Sequence, residues 1–324
     1  MTLPSIRWSP TATTFVVFLA ALGICAMRFP VVLSGQVLGD LLTDSAVLGI
    51  AVVGMTVVVV AGGIDLSVGG VMAFSAMFVA VAIERWGMSP MLAFLSIAVL
   101  ATGFGAVVGA AIHYLKTPPF ILTLAAMFLA RGACFALSKS SIPIKHPDYE
   151  RMANFALALP GGFKLSLVAA LMLATFVVGG LILHRTPWGT AVFAVGGDQR
   201  SAGMMGLKVG RMTMSIYAMS GLCAALAGIA LSLYTGAGYP LAAQGSELDV
   251  IAAVVIGGAL LSGGYGRMVG SFLGVLIQGL ILLYITFDGG LSSWWAKISI
   301  GALLFAFIAF QKLAGRWVTR EAMV

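Results

Sequence analysis

Long apolar runs divide the chain, and several reach about 18 residues, the length at which a helix crosses a bilayer. The runs from 45 to 62 and from 90 to 112 contain no charged residue. Hydrophobic residues make up 60% of the chain and charged residues 9%, a balance that soluble domains do not show. The sequence therefore predicts an all-α polytopic membrane protein, with a single transmembrane domain over residues 1–324.

The apolar runs predict about ten transmembrane segments. They cover residues 12–33, 45–62, 67–83, 90–112, 118–137, 165–184, 213–233, 249–262, 269–287 and 294–311. Only a few Gly-rich residues separate the second run from the third and the eighth from the ninth, so these segments are predicted to be broken or re-entrant. A cleaved signal peptide is the alternative interpretation of the first run, and an uncleaved span is favoured.

Basic residues test the orientation, because Lys and Arg accumulate in cytoplasmic loops. With both termini cytoplasmic, ten basic residues lie inside and five outside. The inside residues are Arg7, Lys116, Arg185, Arg200, Lys208, Arg211, Arg267, Lys312, Arg316 and Arg320, and the outside residues are Arg85, Lys139, Lys145, Arg151 and Lys164. Cytoplasmic N- and C-termini are therefore predicted, with a long external loop at 138–164 and a cytoplasmic loop at 185–211. Topology accounts for the net charge of +7, so no nucleic acid partner is expected.

No catalytic or metal-binding constellation is evident in the sequence. His113, His146 and His184 share no helical spacing, and the HExxH, CxxC, GxSxG and P-loop patterns do not occur. The three cysteines lie in apolar segments, as buried thiols do. We therefore expect no enzymatic activity, no metal and no cofactor in this chain.

Residues 62–70 read GGIDLSVGG, and Asp65 is the only charged residue between Asp44 and Glu84. A charge at membrane depth costs roughly 3 kcal/mol or more, which makes Asp65 a functional candidate. Three interpretations stay open. Asp65 lines a pathway, or Asp65 or Ser67 caps the helix that follows a break at Gly62 and Gly63, or Asp65 pairs with Arg131, the other intramembrane charge. Capping is favoured.

Further glycine strings predict breaks at Gly196–Gly197, at 257–258 and at Gly263–Gly264, whereas isolated Gly105 and Gly109 are expected to line close helix contacts. A shift of 201 positions places the Gly62–Gly63 pair on the Gly263–Gly264 pair. Glycine breaks at corresponding positions of two halves point to a transport pathway. Such matches also arise by chance in a Gly-rich chain, so duplication and coincidence both stay open.

A short helix is predicted in the cytoplasmic loop. Asp198 is its expected N-cap, Gln199–Met205 its body and Gly206 its end. An amphipathic helix here either lies on the membrane or docks in a groove of another protein, and both interpretations stay open.

Three segments resemble a known family: GGIDLSVG at 62–69, GGDQRSAGMMGLKV at 196–209 and ELDVIAAVVIGG at 247–258. They are similar to the permease subunits of bacterial ABC sugar importers of the ribose, xylose and galactofuranose group, and the similarity extends over about residues 15–312. SIPI at 141–144 and SSWW at 292–295 resemble a galactofuranose importer permease most closely. The resemblance implies an inner-membrane channel of two permeases, identical or paralogous, with two cytoplasmic ABC ATPases and a periplasmic sugar-binding protein.

The resemblance also implies a coupling segment that docks on the ATPase, at about Gly197–Gly210. Its candidate residues are Gly197, Asp198, Gln199, Arg200, Ser201, Ala202 and Gly206. The broader family has Glu-Ala-Ala followed by Gly where this chain has Arg200-Ser201-Ala202, so a docking helix is expected but no glutamate role.

The implied activity is import of a pentose or hexose by alternating access, with ATP bound by the partner. The alternatives are an ion-coupled secondary carrier that uses Asp65 and a structural membrane protein.

Overall fold

The structure is a computed structural model that describes residues 10–292 and 294–321. Within these ranges the chain is almost entirely helical. The helices are α1 (Pro10–Arg28), α2 (Gly35–Asp44), α3 (Ala46–Val60), α4 (Ser67–Glu84), α5 (Pro90–Tyr114), α6 (Pro119–Leu137), α7 (Pro147–Ala153), α8 (Leu167–Arg185), α9 (Pro187–Gly197), α10 (Gln199–Met204), α11 (Val209–Thr235), α12 (Ser246–Ile256), α13 (Met268–Asp288) and α14 (Trp294–Glu321). The strands are β1 (Ile142–Pro143), β2 (Ala156–Ala158), β3 (Lys164–Ser166) and β4 (Ala237–Gly238).

The described residues contain seven helices long and apolar enough to cross a bilayer: α1, α4, α5, α6, α8, α11 and α13. The number rises to eight if α2 and α3, which meet at a 52° bend, form one span. The polytopic helical fold agrees with the sequence prediction. The predicted ten segments also included α12 and the apolar part of α14 (Trp294–Ala309), and both are shorter than a full span.

The long helix α11 forms the centre of the molecule and packs against α3, α4 and α5. Its 27 residues extend about 40 Å. The helix α10 precedes its first residue, and β4, which pairs with β1, follows its last residue. We refer to these two ends of the bundle as the α10 end and the strand end.

Burial divides the helices into an inner and an outer group. The spanning part of α4 is 89% buried and that of α11 is 72% buried, whereas the value for α1 is 11% and for α6 is 22%. A membrane helix that is buried on all sides has protein neighbours instead of lipid, so α4 and α11 are the candidates for elements that line a pathway, and α1 and α6 face outward.

Small residues permit the close approach of α11 and α5. A side chain at Gly105 or at Gly221 would overlap the carbonyl of the facing helix, and one at Gly109 would lie 2.8 Å from the carbonyl oxygen of Thr213. The prediction that Gly105 and Gly109 line helix contacts is therefore confirmed. Close backbone approach is how membrane helices gain dispersion energy when lipid is as apolar as the protein.

The second glycine-linked pair forms an antiparallel hairpin of α12 and α13. A side chain at Gly270 would overlap the carbonyl of Gly257, and one at Gly274 would overlap the carbonyl of Ala253. Helix α13 begins at Met268, 201 positions after α4 begins at Ser67. The shift of 201 positions therefore relates the starts of two helices as well as identical residues, which favours duplication over coincidence.

Several elements differ from the sequence prediction. The predicted span 249–262 ends as a helix at Ile256, because Gly258 adopts a φ of +88° and the chain continues irregularly to Arg267. The predicted break at 257–258 is therefore confirmed, and the predicted end of the span at 262 is wrong. Helices α2 and α9 lie where loop was expected. The 138–164 loop holds α7, and it pairs strand β1 with β4 across the molecule.

Helix α1 is integrated into the bundle through α12 and α13. The Thr14 hydroxyl donates to the Ile256 carbonyl at 2.7 Å, and the Cys25 thiol lies 3.8 Å from the Leu280 carbonyl oxygen. All three cysteines are free and buried, as their apolar surroundings predict.

Candidate functional site

The GGIDLSVGG segment contains a helix break between α3 and α4, and this break lies beside the central helix α11. Helix α3 ends at Val60, Gly62 adopts a φ of +78°, and α4 begins at Ser67. Only glycine takes such a φ without strain. The Tyr217 hydroxyl of α11 donates to the Ile64 carbonyl at 3.2 Å. Tyr217 lies eight residues into α11, so the break sits about 12 Å along that helix from the α10 end.

The Asp65 carboxylate is buried, with 3% of its surface exposed, and accepts three hydrogen bonds. Its Oδ1 accepts from the Ser67 backbone N–H at 2.9 Å and from the Ser67 hydroxyl at 2.6 Å. Its Oδ2 accepts from the Ser220 hydroxyl of α11 at 2.6 Å. The carboxylate therefore satisfies the first free N–H of α4 and ties that helix end to α11.

Asp65 accepts a hydrogen bond from the first N–H of α4, as the capping prediction states. It does so from the position before the N-cap residue, and not from the N-cap position itself. Leu66 is the residue that precedes the helix, and it has no capping side chain. Ser67 is not the acceptor that was considered, because its hydroxyl donates to Asp65.

Arg131 does not pair with Asp65, so the ion-pair interpretation is wrong. Its Nη1 donates to the carbonyl oxygens of Pro240 at 3.2 Å and Ala242 at 2.6 Å. Neither ion pair found among the described residues includes Arg131. The guanidinium instead holds the segment between β4 and α12 against α6, because two backbone carbonyls at the strand end have no helical partner there.

Three glycine pairs that are far apart in sequence converge at the first break. The Gly264 N–H donates to the Val60 carbonyl at 2.8 Å. A side chain at Gly196 would overlap the same carbonyl, and one at Gly263 would lie 2.8 Å from the Gly62 Cα. We call Gly62, Gly63, Gly196, Gly263 and Gly264 the glycine junction. Backbone contacts without side chains let three chain segments touch there.

The short helix α10 lies next to this junction. The Asp198 Oδ1 accepts from the Ser201 N–H at 2.6 Å, which confirms Asp198 as the N-cap. This hydrogen bond holds the pKa of the Asp198 carboxyl below its usual range. Gly206, with a φ of +89°, terminates the segment as predicted.

Helix α10 presents one anchored residue and a row of exposed ones. Ala202 is completely buried against the bundle. Gln199, Arg200 and Ser201 are exposed, as are Met204 and Met205, with 78% and 71% of their surfaces exposed. Exposed methionines adapt to a partner surface because the side chain is flexible and polarisable.

The glycine junction and α10 are covalently continuous. Gly196 and Gly197 are the last residues of α9, and Asp198 follows directly. A displacement of α10 therefore acts at once on Gly196, which contacts Val60 at the end of α3 and Gly264 before α13. The structure brings the predicted break residues Gly62, Gly196, Gly263 and Gly264 together. The predicted break at 257–258 lies apart from them, at the end of α12 against Gly270, and Arg131 lies at the strand end.

Sequence reasoning missed four functional candidates. Ser220 and Tyr217 contact the break between α3 and α4. In the sequence each is only a polar side chain within an apolar helix, a feature that many residues with a purely structural role share. Met204 and Met205 were seen only as part of a short helix.

The remaining intramembrane charges and the histidines have local partners. Arg28 lies over the Phe29 ring at 5.6 Å, and Lys297 pairs with Asp249. The His184 Nε2 accepts from the Met268 N–H at 3.2 Å, and the His146 Nδ1 accepts from the Asp148 N–H at 3.2 Å. Among the described residues no group of three or more His, Cys, Asp or Glu side chains is arranged to hold a metal.

Comparisons with known proteins agree with this architecture. A family model described as the branched-chain amino acid transport system permease component matches residues 37–308. The chain is 50% identical over 314 residues to the inner membrane ABC transporter permease protein YjfF of Escherichia coli, which covers 97% of this chain and 95% of that protein. No solved structure is significantly similar to it.

Two further relatives have names that state a substrate. The fructose import permease protein FruG of Bifidobacterium longum is 33% identical and covers 94% of this chain and 90% of its own length. The ribose import permease protein RbsC of Bacillus subtilis is 38% identical and covers 74% of each chain. With the family match, these similarities show that the chain belongs to the permeases of bacterial ABC sugar importers, which are non-catalytic multi-pass proteins of the inner membrane served by a partner ATPase.

Proposed function

We propose that this chain forms one of two membrane subunits that import a pentose or hexose by alternating access. The family description mentions amino acids, but the two compared relatives whose names state a substrate both import sugars. Galactofuranose is the proposed sugar within this class, on the basis of the motif resemblance. ATP binds the partner subunit, and this chain needs no cofactor of its own.

The direct chain connection between α10 and the glycine junction, through Asp198 and Gly197, is the observation that carries this proposal. An ATPase that closes on ATP needs a protruding element to push, and the exposed face of α10 supplies one. The push reaches Gly196 and then the ends of α3 and α13 through backbone contacts. The ATPase then binds two positions of α10 with different affinities, and this difference shifts the permease between its outward-facing and inward-facing states.

The proposal assigns Gly197, Asp198, Gln199, Arg200, Ser201, Ala202 and Gly206 to coupling. Gly62, Gly63, Asp65, Ser67, Gly263 and Gly264 shape the pathway, and Arg131 holds its strand end. In this proposal Asp65 stabilises the start of α4 and its contact with α11, because its oxygens already accept three hydrogen bonds. A proton relay has no observation in its favour.

The same proposal includes the topology. The number of segments is ten if α2 and α3 form one span and if α12 and the apolar part of α14 are each counted as a short span. The termini and the 185–211 loop are then cytoplasmic, and the 138–164 loop is periplasmic, where a sugar-binding protein docks. The second permease is a paralogue or another copy of this chain, and this domain alone occupies residues 1–324.

Transport in proteoliposomes tests this function. The permease, its co-purified ATPase and its binding protein are reconstituted, and uptake of labelled monosaccharides is measured with ATP inside the vesicles. We expect uptake that vanadate blocks and a protonophore leaves unchanged. Uptake that the protonophore abolishes and that continues without ATP contradicts the proposal and supports an ion-coupled carrier.

A further inference from the structure

A cavity of about 680 Å³ opens between α2, α12, α13 and α14, away from the glycine junction. Its size lies in the ~300–1,000 Å³ range of small-ligand pockets. Its lining includes the last turn of α2, the first turn of α12 and the first turn of α14, so it lies toward the strand end. Its wall reaches Met72 of α4, five residues after that helix begins at Ser67.

One residue of the polar lining, Ser45, has a buried hydroxyl without a hydrogen-bond partner. Ser45 stands at the bend between α2 and α3, and 5% of its surface is exposed. Its Oγ makes no hydrogen bond and caps neither helix. A buried hydroxyl without a partner is unfavourable, and a ligand group that hydrogen-bonds to it removes that penalty. Ser45 is one of the residues that line the cavity.

The other polar residues of the lining supply carboxylates, an amide and an ammonium group. Gln278 is 96% buried and donates through Nε2 to the Asp249 carbonyl at 3.0 Å. The Asp249 carboxylate pairs with Lys297, and Asp44 accepts from the Tyr234 hydroxyl at 2.9 Å. Asp40 lies exposed at the rim. Carboxylates, amide and ammonium together offer donors and acceptors at fixed places, as a polyol requires.

An aromatic face completes the site. Trp294 lines the cavity with 74% of its surface exposed, whereas its neighbour Trp295 is exposed but does not line it. The flat ring matches the C–H face of a sugar ring, and the carboxylates match its hydroxyls. Three carboxylates against one ammonium repel anions, which excludes sugar phosphates.

We propose that this cavity is a low-affinity monosaccharide subsite of the permease, which receives a neutral sugar before it passes α4. The inference rests on the proposed function and adds a second point of substrate selection beyond the binding protein. Ser45, Asp249 and Gln278 hydrogen-bond the sugar, and Trp294 stacks on it.

Thiol protection tests the subsite on the full-length permease in nanodiscs. The native cysteines are buried, so Leu282→Cys places a single reactive thiol in the cavity wall, and Leu159→Cys, in the 138–164 loop, is the exposed control outside it. Both are labelled with a hydrophilic maleimide across a panel of free pentoses and hexoses. We expect a sugar to slow labelling of Leu282→Cys and to leave Leu159→Cys unchanged.

The two tryptophans provide the matched pair. Trp294→Ala is expected to raise the half-protecting sugar concentration about tenfold, the effect of one good contact, while Trp295→Ala leaves it unchanged. Absence of protection by every sugar, protection only by protonated amines, or equal effects of the two tryptophan variants overturns the subsite. Each of these results is compatible with vanadate-sensitive uptake, so the subsite and the proposed function fail separately.

Discussion

The Ser220 hydroxyl donates a 2.6 Å hydrogen bond to Asp65, 155 positions away in sequence. The bond joins the middle helix α11 to the point where α4 begins, and Ser67 occupies the other carboxylate oxygen. A buried carboxylate in a membrane protein is costly unless it is fully paired. Here three donors from two helices supply that pairing, so Asp65 fixes the geometry of the break.

The first prediction concerns the two acceptor atoms of Asp65. Asp65→Leu strands the Ser67 N–H and the Ser220 hydroxyl, each at a cost of about 1–3 kcal/mol, whereas Asp65→Asn keeps an acceptor for Ser67. We expect a lower thermal unfolding temperature in detergent for Asp65→Leu and a much smaller change for Asp65→Asn. If both variants abolish uptake and unfold at the wild-type temperature, the negative charge itself is required and the capping role is refuted.

The glycine junction predicts opposite results for two adjacent glycines. A Cβ at Gly196 would overlap the Val60 carbonyl, whereas nothing lies within 4 Å of a Cβ at Gly197. Gly196→Ala should therefore destabilise the permease by about 1–3 kcal/mol and reduce ATPase stimulation by the binding protein. Gly197→Ala is the matched control. The coupling role proposed for Gly197 needs only its backbone, which Ala keeps, so this variant is expected to be close to wild type in both assays. Equal behaviour of the two variants would show that the junction does not transmit force.

Helix α10 is tested at the residue that ends it. Proline fixes φ near −65° and cannot adopt the +89° of Gly206, whereas Asn tolerates a positive φ better than other side chains. Gly206→Pro should insert in the membrane but lose stimulated ATP hydrolysis, and Gly206→Asn should retain most of it. Deletion of residues 199–205 should behave like Gly206→Pro. Normal binding-protein-stimulated hydrolysis in the deletion variant would refute the docking role.

Arg131 is predicted to stabilise the strand end through hydrogen bonds rather than through an ion pair. Arg131→Met removes the donor to the Pro240 and Ala242 carbonyls and should cost about 1–3 kcal/mol of unfolding free energy. The control is Arg28→Met at an exposed position beside Phe29, which should change stability by about 1 kcal/mol or less. Denaturant unfolding in detergent measures both, and a larger loss for the control would contradict the assignment.

Local patterns in the sequence were enough to predict the membrane character, most helix positions, the Gly62–Gly63 break and the α10 segment with its cap. These features depend on residues within a few positions of one another, so hydropathy, capping chemistry and the φ preferences of glycine are sufficient to predict them. The predicted span 249–262 was too long because its apolar run continues past Ile256, although the glycine pair at 257–258 correctly predicted the break there.

Tertiary structure alone decided which of these features meet. It paired Asp65 with Ser220 instead of Arg131, joined Gly196 to Val60 and Gly264, and enclosed the cavity around Ser45. Such contacts depend on the relative placement of helices, which is set by packing of small residues and shape rather than by spacing along the chain. Sequence therefore determined the elements and their breaks, and long-range packing determined the site.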